Sequence, residues 1–237
     1  MDCLILRFDA PLMSFGAVVV DQFNPTWRFP ATAMLTGMLA SAMGWDHHST
    51  EKLRSLQDRV RFAARWDAEP VPLTDYQTVD LGQPFMIDTG WTTRGKREDR
   101  KGGTAATTTH QRWRDYWANG VVTVALTLDG EGLPTVDDLE SALHTPARPL
   151  FIGRKHCLPA TPIFIGRHEA LGVKAALAAE PLAEIGPRRR PRRIPALWPV
   201  DEGTGIDTEE RYDLRDWANN IHRGARRYSV GILELTA

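Results

Sequence analysis

The chain has 237 residues and a formal net charge of −1 at pH 7, with 42% hydrophobic and 25% charged residues. These values are typical of a globular protein and exclude a disordered or globally basic chain, so nucleic-acid binding would require local basic patches. Two cysteines supply neither a disulfide framework nor a paired-cysteine metal site. No apolar run approaches the roughly 20 residues of a membrane helix, and we expect a cytoplasmic protein with no membrane partner and no cofactor.

The first fifty residues contain a strand signal followed by a helix signal. Cys3 to Phe8 is an apolar run of the kind found in buried strands, and it ends before Pro11. From Ala31 to Met43, apolar residues recur on one helical face. Pro30 stands at the first helical position of this predicted helix, and Gly44 is placed to end it.

A short helix and a second strand follow. Ser49 or Thr50 is positioned to cap a helix that runs through Leu56. The segment from Arg59 to Trp66 then alternates between apolar residues and arginines. Such alternation predicts a half-buried strand.

The centre of the chain repeats the pattern after a long insertion. Val121 to Leu128 alternates like a strand, Thr135 to Asp138 resembles a helix capping box, and a β-like segment runs through Phe164 and Ile165. Strand, helix, strand, insertion, strand, helix and strand in this order predict an α+β, ferredoxin-like fold. The insertion, residues 71–113, is far longer than a typical connection and has no strand or helix pattern in residues 91–102.

The last third differs in composition from the rest. Residues 171–180 indicate a short helix, and the final residues read as a strand. We therefore predict a ferredoxin-like domain over residues 1–170 and a smaller β-rich region over residues 171–237.

Three basic clusters stand out in this neutral chain. The first lies in the insertion, before Gly102 and Gly103, and comprises Arg94, Lys96, Arg97, Arg100 and Lys101. The second places five arginines within residues 188–193, and the third comprises Arg223, Arg226 and Arg227. Such clusters favour an anionic partner such as a phosphate backbone, although charged runs are also common in solvated loops and linkers.

Two further residue sets could carry chemistry. Trp27, between two prolines, could stack on a base or partner, although most tryptophans belong to cores. A metal-free ribonuclease needs a base, an acid and a cation, and four residues could supply them: Tyr76, His110, Lys155 and His156. Residue sets of this kind also arise without catalysis. The adjacent pair His47 and His48 lacks a third ligand at metal spacing, so no metal site is predicted.

Five segments, in this order, resemble a known family: LILRFDAPLMSFG, PTWRFPATAMLTGMLASAMG, DYQTV, THQRWRDYW and PLFIGRKHCLPATPIFIG. They are similar to the fifth Cas family of the RAMP superfamily, in the form of the CasD subunit of the type I-E CRISPR Cascade complex. The resemblance covers about residues 3–166 and is weak beyond residue 170.

The resemblance implies an RRM-like, ferredoxin-like body with a β-hairpin thumb at about residues 81–108. It implies a subunit without catalytic residues that holds the 5′ handle of the crRNA and caps the backbone of a defence complex against foreign DNA. The implied partners are the adjacent backbone subunit, the large PAM-reading subunit and target DNA near the thumb.

Carried onto this sequence, the resemblance and the basic clusters together imply the following RNA-binding residues: Ser14, Phe15, Gly16, Trp27, Arg28, Arg94, Lys96, Arg97, Arg100, Lys101, Thr108, Thr109, Gln111, Arg112, Arg154, Lys155 and His156. Two alternatives stay open at this point. One is a metal-independent endoribonuclease that processes precursor crRNA, as in type I-C systems. The other is a protein-interaction scaffold without RNA affinity of its own.

Overall fold

A computed structural model describes residues 1–83 and 108–235, together with the backbone of residues 90–91 and 97–98. The helices are α1 (Thr32–Ala42), α2 (Thr50–Arg59), α3 (Val136–His144) and α4 (Val173–Ala179). The strands are β1 (Asp2–Asp9), β2 (Leu12–Met13), β3 (Phe23–Asn24), β4 (Val60–Ala68), β5 (Val71–Asp80), β6 (Gly90–Trp91), β7 (Arg97–Glu98), β8 (Thr109–Ala118), β9 (Val121–Leu128), β10 (Phe164–Glu169), β11 (Pro195–Pro199), β12 (Asp207–Asp216) and β13 (Ile221–Ile232).

A seven-stranded sheet forms the body of the protein. Its strand order is β10-β1-β9-β4-β11-β13-β12, and every neighbouring pair is antiparallel. The chain is therefore a mixed α+β protein built on a large antiparallel sheet with four helices in the described residues.

Helices cover both faces of this sheet. Side chains of α1, α2 and α3 pack with Leu6, Phe62 and Val124 in one core, while α4 packs on the opposite face with Ile5 and Ala63. Strand β4 is consequently buried along almost its whole length. The prediction that this strand is half-buried is wrong, because α4 covers the face that carries Arg65.

The helix ends largely follow the sequence signals. Thr135 and Asp138 form the predicted capping box of α3. Gly44 follows the C-cap of α1, but the helix begins only at Thr32 with Ala31 as N-cap, so Pro30 lies before the helix and not at its first position. Ser49, not Thr50, is the N-cap of α2. None of the helices in the described part of the chain is long and apolar enough to cross a bilayer.

The last third of the chain extends the main sheet. Helix α4 forms within the predicted residues 171–180, and the chain ends in the long strand β13. Strand β11 joins the body by pairing Leu197 with Ala64 of β4, and β13 and β12 follow outward. The strands of residues 171–237 therefore continue the sheet that the first 170 residues begin.

The long insertion begins and ends in regular strands. Strands β5 and β8 form a ten-residue antiparallel ladder, from Val71 opposite Ala118 to Asp80 opposite Thr109. Strands β2 and β3 pair with the other side of β8 and complete a four-stranded sheet. Between the two long strands, β6 pairs with β7 in a stretch where the sequence predicts no strand.

Candidate nucleic-acid interface

Strand β8 divides its side chains between two sides of the small sheet. Successive side chains of a strand point to opposite faces, so His110, Arg112, Arg114 and Tyr116 share one face. His110 and Arg112 are exposed, Arg114 is half-buried, and Tyr116 is buried. The alternation places three cationic or titratable side chains in a row along five consecutive residue pairs of the ladder.

The loop 153–157 adds further cations at the Tyr116 end of this row. The Arg154 guanidinium lies 4.4 Å from the centre of the Tyr116 ring, and the His156 Nε2 atom lies 2.9 Å from the Tyr116 hydroxyl. Lys155 is exposed between them. We call these residues the basic face: His110, Arg112, Arg114, Arg154, Lys155 and His156. Asp75 of β5, opposite Arg114 in the ladder, brings one carboxylate to the same face.

Arg154 acts as a clamp within this face. Its two terminal nitrogens donate to the backbone oxygens of Asp115 and Asn24, at 3.0 and 2.8 Å. The side chain therefore ties the loop 153–157 to β8 and β3. Because its strongest donors are already used, the exposed Lys155 is the better placed of the two to bind phosphate.

The loop 14–16 lies against the same 153–157 loop. A Cβ atom on Gly153 would sit 1.5 Å from the carbonyl oxygen of Ser14, so only glycine permits this approach. Ser14 and Phe15 are 1% and 0% exposed, and the Phe15 ring packs 5.9 Å from Trp66. Both side chains are therefore buried in the described chain, and the prediction that Ser14 and Phe15 bind RNA stays a prediction. Gly16 remains exposed at the surface of the loop.

Trp27 and Arg28 differ in their exposure. Trp27 packs against the core beneath Arg211, whose guanidinium lies 5.0 Å from the indole centre. Arg211 is fully buried, donates to the backbone oxygens of Phe29 and Pro30, and has its pKa lowered by burial. These contacts favour a packing role for Trp27. The side chain of Arg28 is exposed, so it stays available to a ligand.

The N-terminal end of β8, next to the predicted thumb, is open to solvent. Thr108, Thr109, Gln111 and Arg112 are all exposed. The predicted thumb cations Arg94, Lys96, Arg100 and Lys101 lie outside the described residues. Of Arg97, only the backbone, in β7, is described.

The four candidate ribonuclease residues do not converge. Tyr76 pairs with Trp113 and contacts its ring, so it lies on the face opposite His110 and Tyr116. His110 stands six residues from Tyr116, the partner of His156, which is about 20 Å along an extended strand. A general acid and a general base must both reach the same phosphodiester. The described geometry of Tyr76, His110, Lys155 and His156 does not provide this.

About half of the arginines in the other two basic clusters are bound within the fold. Arg188 forms a two-pronged ion pair with Asp9 at 2.6 and 2.9 Å, and this hydrogen bonding raises its pKa. Arg189 pairs with Glu69, and Arg190 donates to the Ala183 oxygen. Within 188–193 this leaves two exposed arginines with no protein contact of this kind among the described residues: Arg192 and Arg193. In the third cluster, Arg226 donates to the backbone oxygens of residues 57, 58 and 60.

Two features were missed at the sequence level. Arg114 belongs to the basic face, and three aromatic rings cross the opposite face of the sheet: Phe23, Trp113 and Tyr76. The period-two spacing of His110, Arg112 and Arg114 is the signal that could have found the first. The three aromatic rings come together only because β3, β5 and β8 pair with one another, and no local sequence pattern predicts that pairing.

No metal site is formed by the described residues, in which no group of three or more His, Cys, Asp and Glu side chains is arranged to hold an ion. Cys3 and Cys157 are free and buried. Burial raises the pKa of the Cys3 thiol to about 11 and also raises that of Cys157. Both cysteines therefore behave as core residues and not as ligands or nucleophiles.

Comparison with known proteins finds similarity to CRISPR-associated proteins. The CasD subunit of the CRISPR system Cascade of Escherichia coli (strain K12) is 31% identical over 162 residues, which cover 65% of this chain and 66% of that protein. The alignment thus spans just under two thirds of the relative's length.

Two solved structures share the fold. A chain of a structure titled "CRISPR RNA-guided surveillance complex" matches 99% of this chain and 91% of its own length, with a TM-score of 0.70 and 24% identity. A structure titled "Crystal structure of Cas protein" covers 98% of this chain and 95% of its own, with a TM-score of 0.65 and 22% identity. A family model described as "CRISPR-associated protein (Cas_Cas5)" matches residues 3–229, nearly the whole chain. The chain belongs to this Cas5 family of CRISPR-associated proteins.

Proposed function

We propose that this chain is a non-catalytic, RNA-binding subunit of a type I-E Cascade complex, in which it holds the 5′ handle of the crRNA and caps the backbone. The observation that carries the proposal is the basic face, a row of cations along β8 and the loop 153–157 in a member of the Cas5 family. The relative named as a Cascade subunit and the neighbour titled as an RNA-guided surveillance complex support the setting.

The fold assignment behind this proposal is ferredoxin-like. Strands β1, β4, β9 and β10 lie in the order β10-β1-β9-β4, with helices between the first and second and between the third and fourth. This strand order and helix placement support a split βαβ arrangement. In this proposal the thumb, residues 81–108, extends from the β5–β8 ladder, and residues 171–237 form the smaller β-rich region.

Phosphate contacts would supply most of the affinity. Arg112, Arg114 and Lys155 lie on a sheet face that backbone phosphates can approach, and arginine suits two-pronged contact with phosphate oxygens. The thumb cations would add to this surface, next to the adjacent backbone subunit and the target DNA. The large PAM-reading subunit would be the third partner.

The proposed absence of catalysis has a geometric argument. Tyr76 lies on one face of the small sheet, while His110 and the Tyr116 partner of His156 lie on the other and about 20 Å apart. RNA bound along the basic face would meet these groups one at a time.

The test is incubation of the purified chain with labelled precursor crRNA in EDTA, resolved on native and denaturing gels over a range of salt concentrations. We expect a shifted but intact RNA. Each phosphate contact on a single strand contributes about 0.7 to the slope of log K against log salt, so the double substitution Arg112→Gln and Arg114→Gln should reduce that slope by about 1.4. The matched control is Arg223→Gln with Arg227→Gln, two exposed arginines on β13.

Each result has a definite meaning. A discrete metal-independent cut within the repeat would replace the proposal by the endoribonuclease alternative. If the control pair lost as much of the slope of log K against log salt, RNA binding would not be specific to β8. No shift at any salt concentration would contradict RNA binding by this chain alone and favour the scaffold alternative.

A further inference from the structure

Three aromatic rings form a continuous row across the small sheet, on the side opposite the basic face. Trp113 of β8 lies between Phe23 of β3 and Tyr76 of β5, and both neighbouring ring centres are 4.9 Å from its own. The ring planes differ by only 23° and 34°. We call Phe23, Trp113 and Tyr76 the aromatic row.

The two outer rings of the row are exposed, where a folded protein normally buries aromatic rings, and Trp113 between them is half-buried. Phe23 is 50% exposed and Tyr76 is 51% exposed. Exposed aromatic groups of this size signal a binding surface more often than isolated surface apolar residues do. Two uncharged hydrogen-bonding side chains, Thr78 and Gln111, lie opposite each other as the next residue pair on the same face of the ladder. Both are exposed.

The electrostatics of this side favour a neutral ligand. Side chains that follow Trp113 and Tyr76 on the same face include Asp115 and Asp80 but no arginine or lysine in β5 or β8. Asp115 accepts a hydrogen bond from Thr74, and Asp80 accepts one from the Gly82 backbone. Phosphates would be repelled here, whereas the uncharged face of a base would not.

A cation nevertheless reaches the Phe23 end of the row. The Arg112 side chain starts on the basic face, and its guanidinium lies 3.5 Å from the backbone oxygen of Asp21, two residues before Phe23. Strand β3 has only two residues, so the sheet edge here is short. The basic face and the aromatic row therefore approach each other around this edge.

We infer that the aromatic row stacks an unpaired base of a single-stranded nucleic acid, while Arg112 holds the neighbouring phosphate. The inference rests on the proposed RNA-binding function. It adds the uncharged aromatic row to the basic face as a second binding surface. Aromatic side chains at cross-strand positions of an open sheet are a common platform for bases, because every base has a flat π face. Thr78 and Gln111 would contact the edge of the stacked base.

The same chemistry could be offered by crRNA or by a displaced DNA strand. Both carry stackable bases, and nothing on the aromatic row distinguishes a ribose from a deoxyribose. An experiment with both strands as separate probes decides between them. A protein partner on this face is the competing outcome, because aromatic residues are also enriched at protein interfaces.

The experiment compares the variants Phe23→Leu and Tyr76→Leu with the wild-type chain. Each variant keeps an apolar side chain at its position but removes the aromatic ring. The probes are repeat-derived RNA and DNA of the same sequence, each with 2-aminopurine at one unpaired position. Stacking quenches 2-aminopurine, so binding to the wild type should dim it. We expect roughly 5- to 150-fold weaker binding for each variant, recovered fluorescence, and an unchanged salt slope, since no phosphate contact is lost.

Two controls separate stacking from folding and from charge. Tyr212→Leu removes a tyrosine of matched exposure, 53%, from β12 at the far edge of the large sheet, and should change nothing. Arg112→Gln should instead lower the salt slope by about 0.7. Thermal melts of all variants check that they remain folded, and Tyr76→Leu on a regular strand covers the case in which Phe23→Leu disturbs the loop.

The outcomes are distinct. A loss with RNA alone, with DNA alone or with both supports the aromatic row and identifies the strand that it binds. Binding that depends on Arg112 but not on Phe23 or Tyr76 would overturn this inference alone and assign the row to a protein partner. No binding of either wild-type probe would overturn the proposed function and this inference together.

Discussion

The two sheets of this protein differ in how far their side chains are buried, although both contain arginine and other charged residues. In the seven-stranded sheet, β4 and β9 are buried on both faces, and Asp67 accepts hydrogen bonds from Arg65 and Thr123 inside the protein. In the four-stranded sheet, most side chains of the β5–β8 ladder are exposed on both faces. The first sheet lies within the core, whereas the second leaves two faces open to solvent.

Arginine illustrates the difference most clearly. Arg65 of β4 is 0% exposed and donates to Asp67 and to the backbone oxygens of Leu177 and Pro181. Arg112 of β8 is exposed, and its one described contact is at 3.5 Å. The same side chain therefore belongs to the core in one sheet and to a candidate interface in the other, and removing it should affect different properties.

The largest stability effect should come from the buried pair. Asp67 accepts from Arg65 Nε at 2.7 Å and from Thr123 Oγ1 and the Ala183 backbone at 2.8 Å. Asp67→Ala leaves a buried guanidinium without its counter-charge and two donors without an acceptor. We expect a loss of about 3–5 kcal/mol in the free energy of unfolding, measured by urea denaturation.

The control for this prediction is an exposed pair. Glu69 binds Arg189 at 2.9 Å, but their side chains are 45% and 75% exposed. Glu69→Ala should therefore cost less than about 1 kcal/mol. Equal costs for Asp67→Ala and Glu69→Ala would show that water reaches the Arg65 site.

Two glycines give the next contrast, at the junction between the sheets. Gly153 has φ +86° and no room for a Cβ beside Ser14, whereas Gly16 has φ +69° and nothing within 4 Å of its would-be Cβ. Gly153→Ala should cost about 2–4 kcal/mol, because overpacking adds to the left-handed strain, and Gly16→Ala only about 1 kcal/mol.

The same pair tests the link between packing and binding. Gly153→Ala should displace the loop that carries Lys155 and weaken RNA binding, while Gly16→Ala leaves that loop in place. Denaturation and gel-shift titrations on both variants provide the measurement. Similar RNA affinities for the two variants would show that the loop 153–157 is not part of the RNA-binding interface.

A smaller effect is expected at the start of α3. The Thr135 hydroxyl accepts from the Asp138 backbone at 3.1 Å and completes a capping box. Thr135→Ala should cost about 1 kcal/mol at pH 7. Ser49→Ala is the matched control, because Ser49 is an N-cap without a side-chain capping bond, and it should cost clearly less.

The capping box should also respond to acid. Hydrogen bonds from Thr135 hold the pKa of the Asp138 carboxyl below its ordinary value of 3.8. A carboxyl group with a lower pKa in the folded state stabilises it above the unfolded pKa, and this stabilisation is lost as pH falls through the folded pKa. The difference between the wild type and Thr135→Ala should therefore shrink as the pH falls below the ordinary Asp pKa of 3.8. A constant difference across this range would assign the cap to the Thr135 hydroxyl alone.

Local signals predicted five of the seven strands of the large sheet, which carry regular apolar patterns, but not β11 or β12. The capping box at Thr135 and the strand Val121–Leu128 are both present in the structure. The error at β4 has a non-local cause, since the partners of Arg65 are 112 and 116 residues away. The β5–β8 ladder was missed because a strand exposed on both faces carries no hydrophobic alternation.

The candidate site was harder to predict than the fold. The sequence predicted RNA binding by Arg112, Lys155 and His156, which lie on the basic face, but not that Arg154 is a clamp or that Phe15 is buried. Those roles depend on how the loops 14–16 and 153–157 meet, and one chain's sequence contains no signal for that contact.

The smallest stability effect should accompany a clear binding effect. Arg114 is half-buried on the basic face, opposite Asp75 in the ladder, and the described residues show no hydrogen bond from its guanidinium. Arg114→Gln should change the free energy of unfolding by less than about 0.5 kcal/mol, as for other surface substitutions, yet reduce the salt slope of RNA binding by about 0.7. Arg226→Gln, which removes three bonds to backbone oxygens, should show the reverse pattern, with lost stability and an unchanged slope. If Arg114→Gln also destabilised the chain by several kcal/mol, the small sheet would depend on its cations for folding, and the contrast between the two sheets would fail.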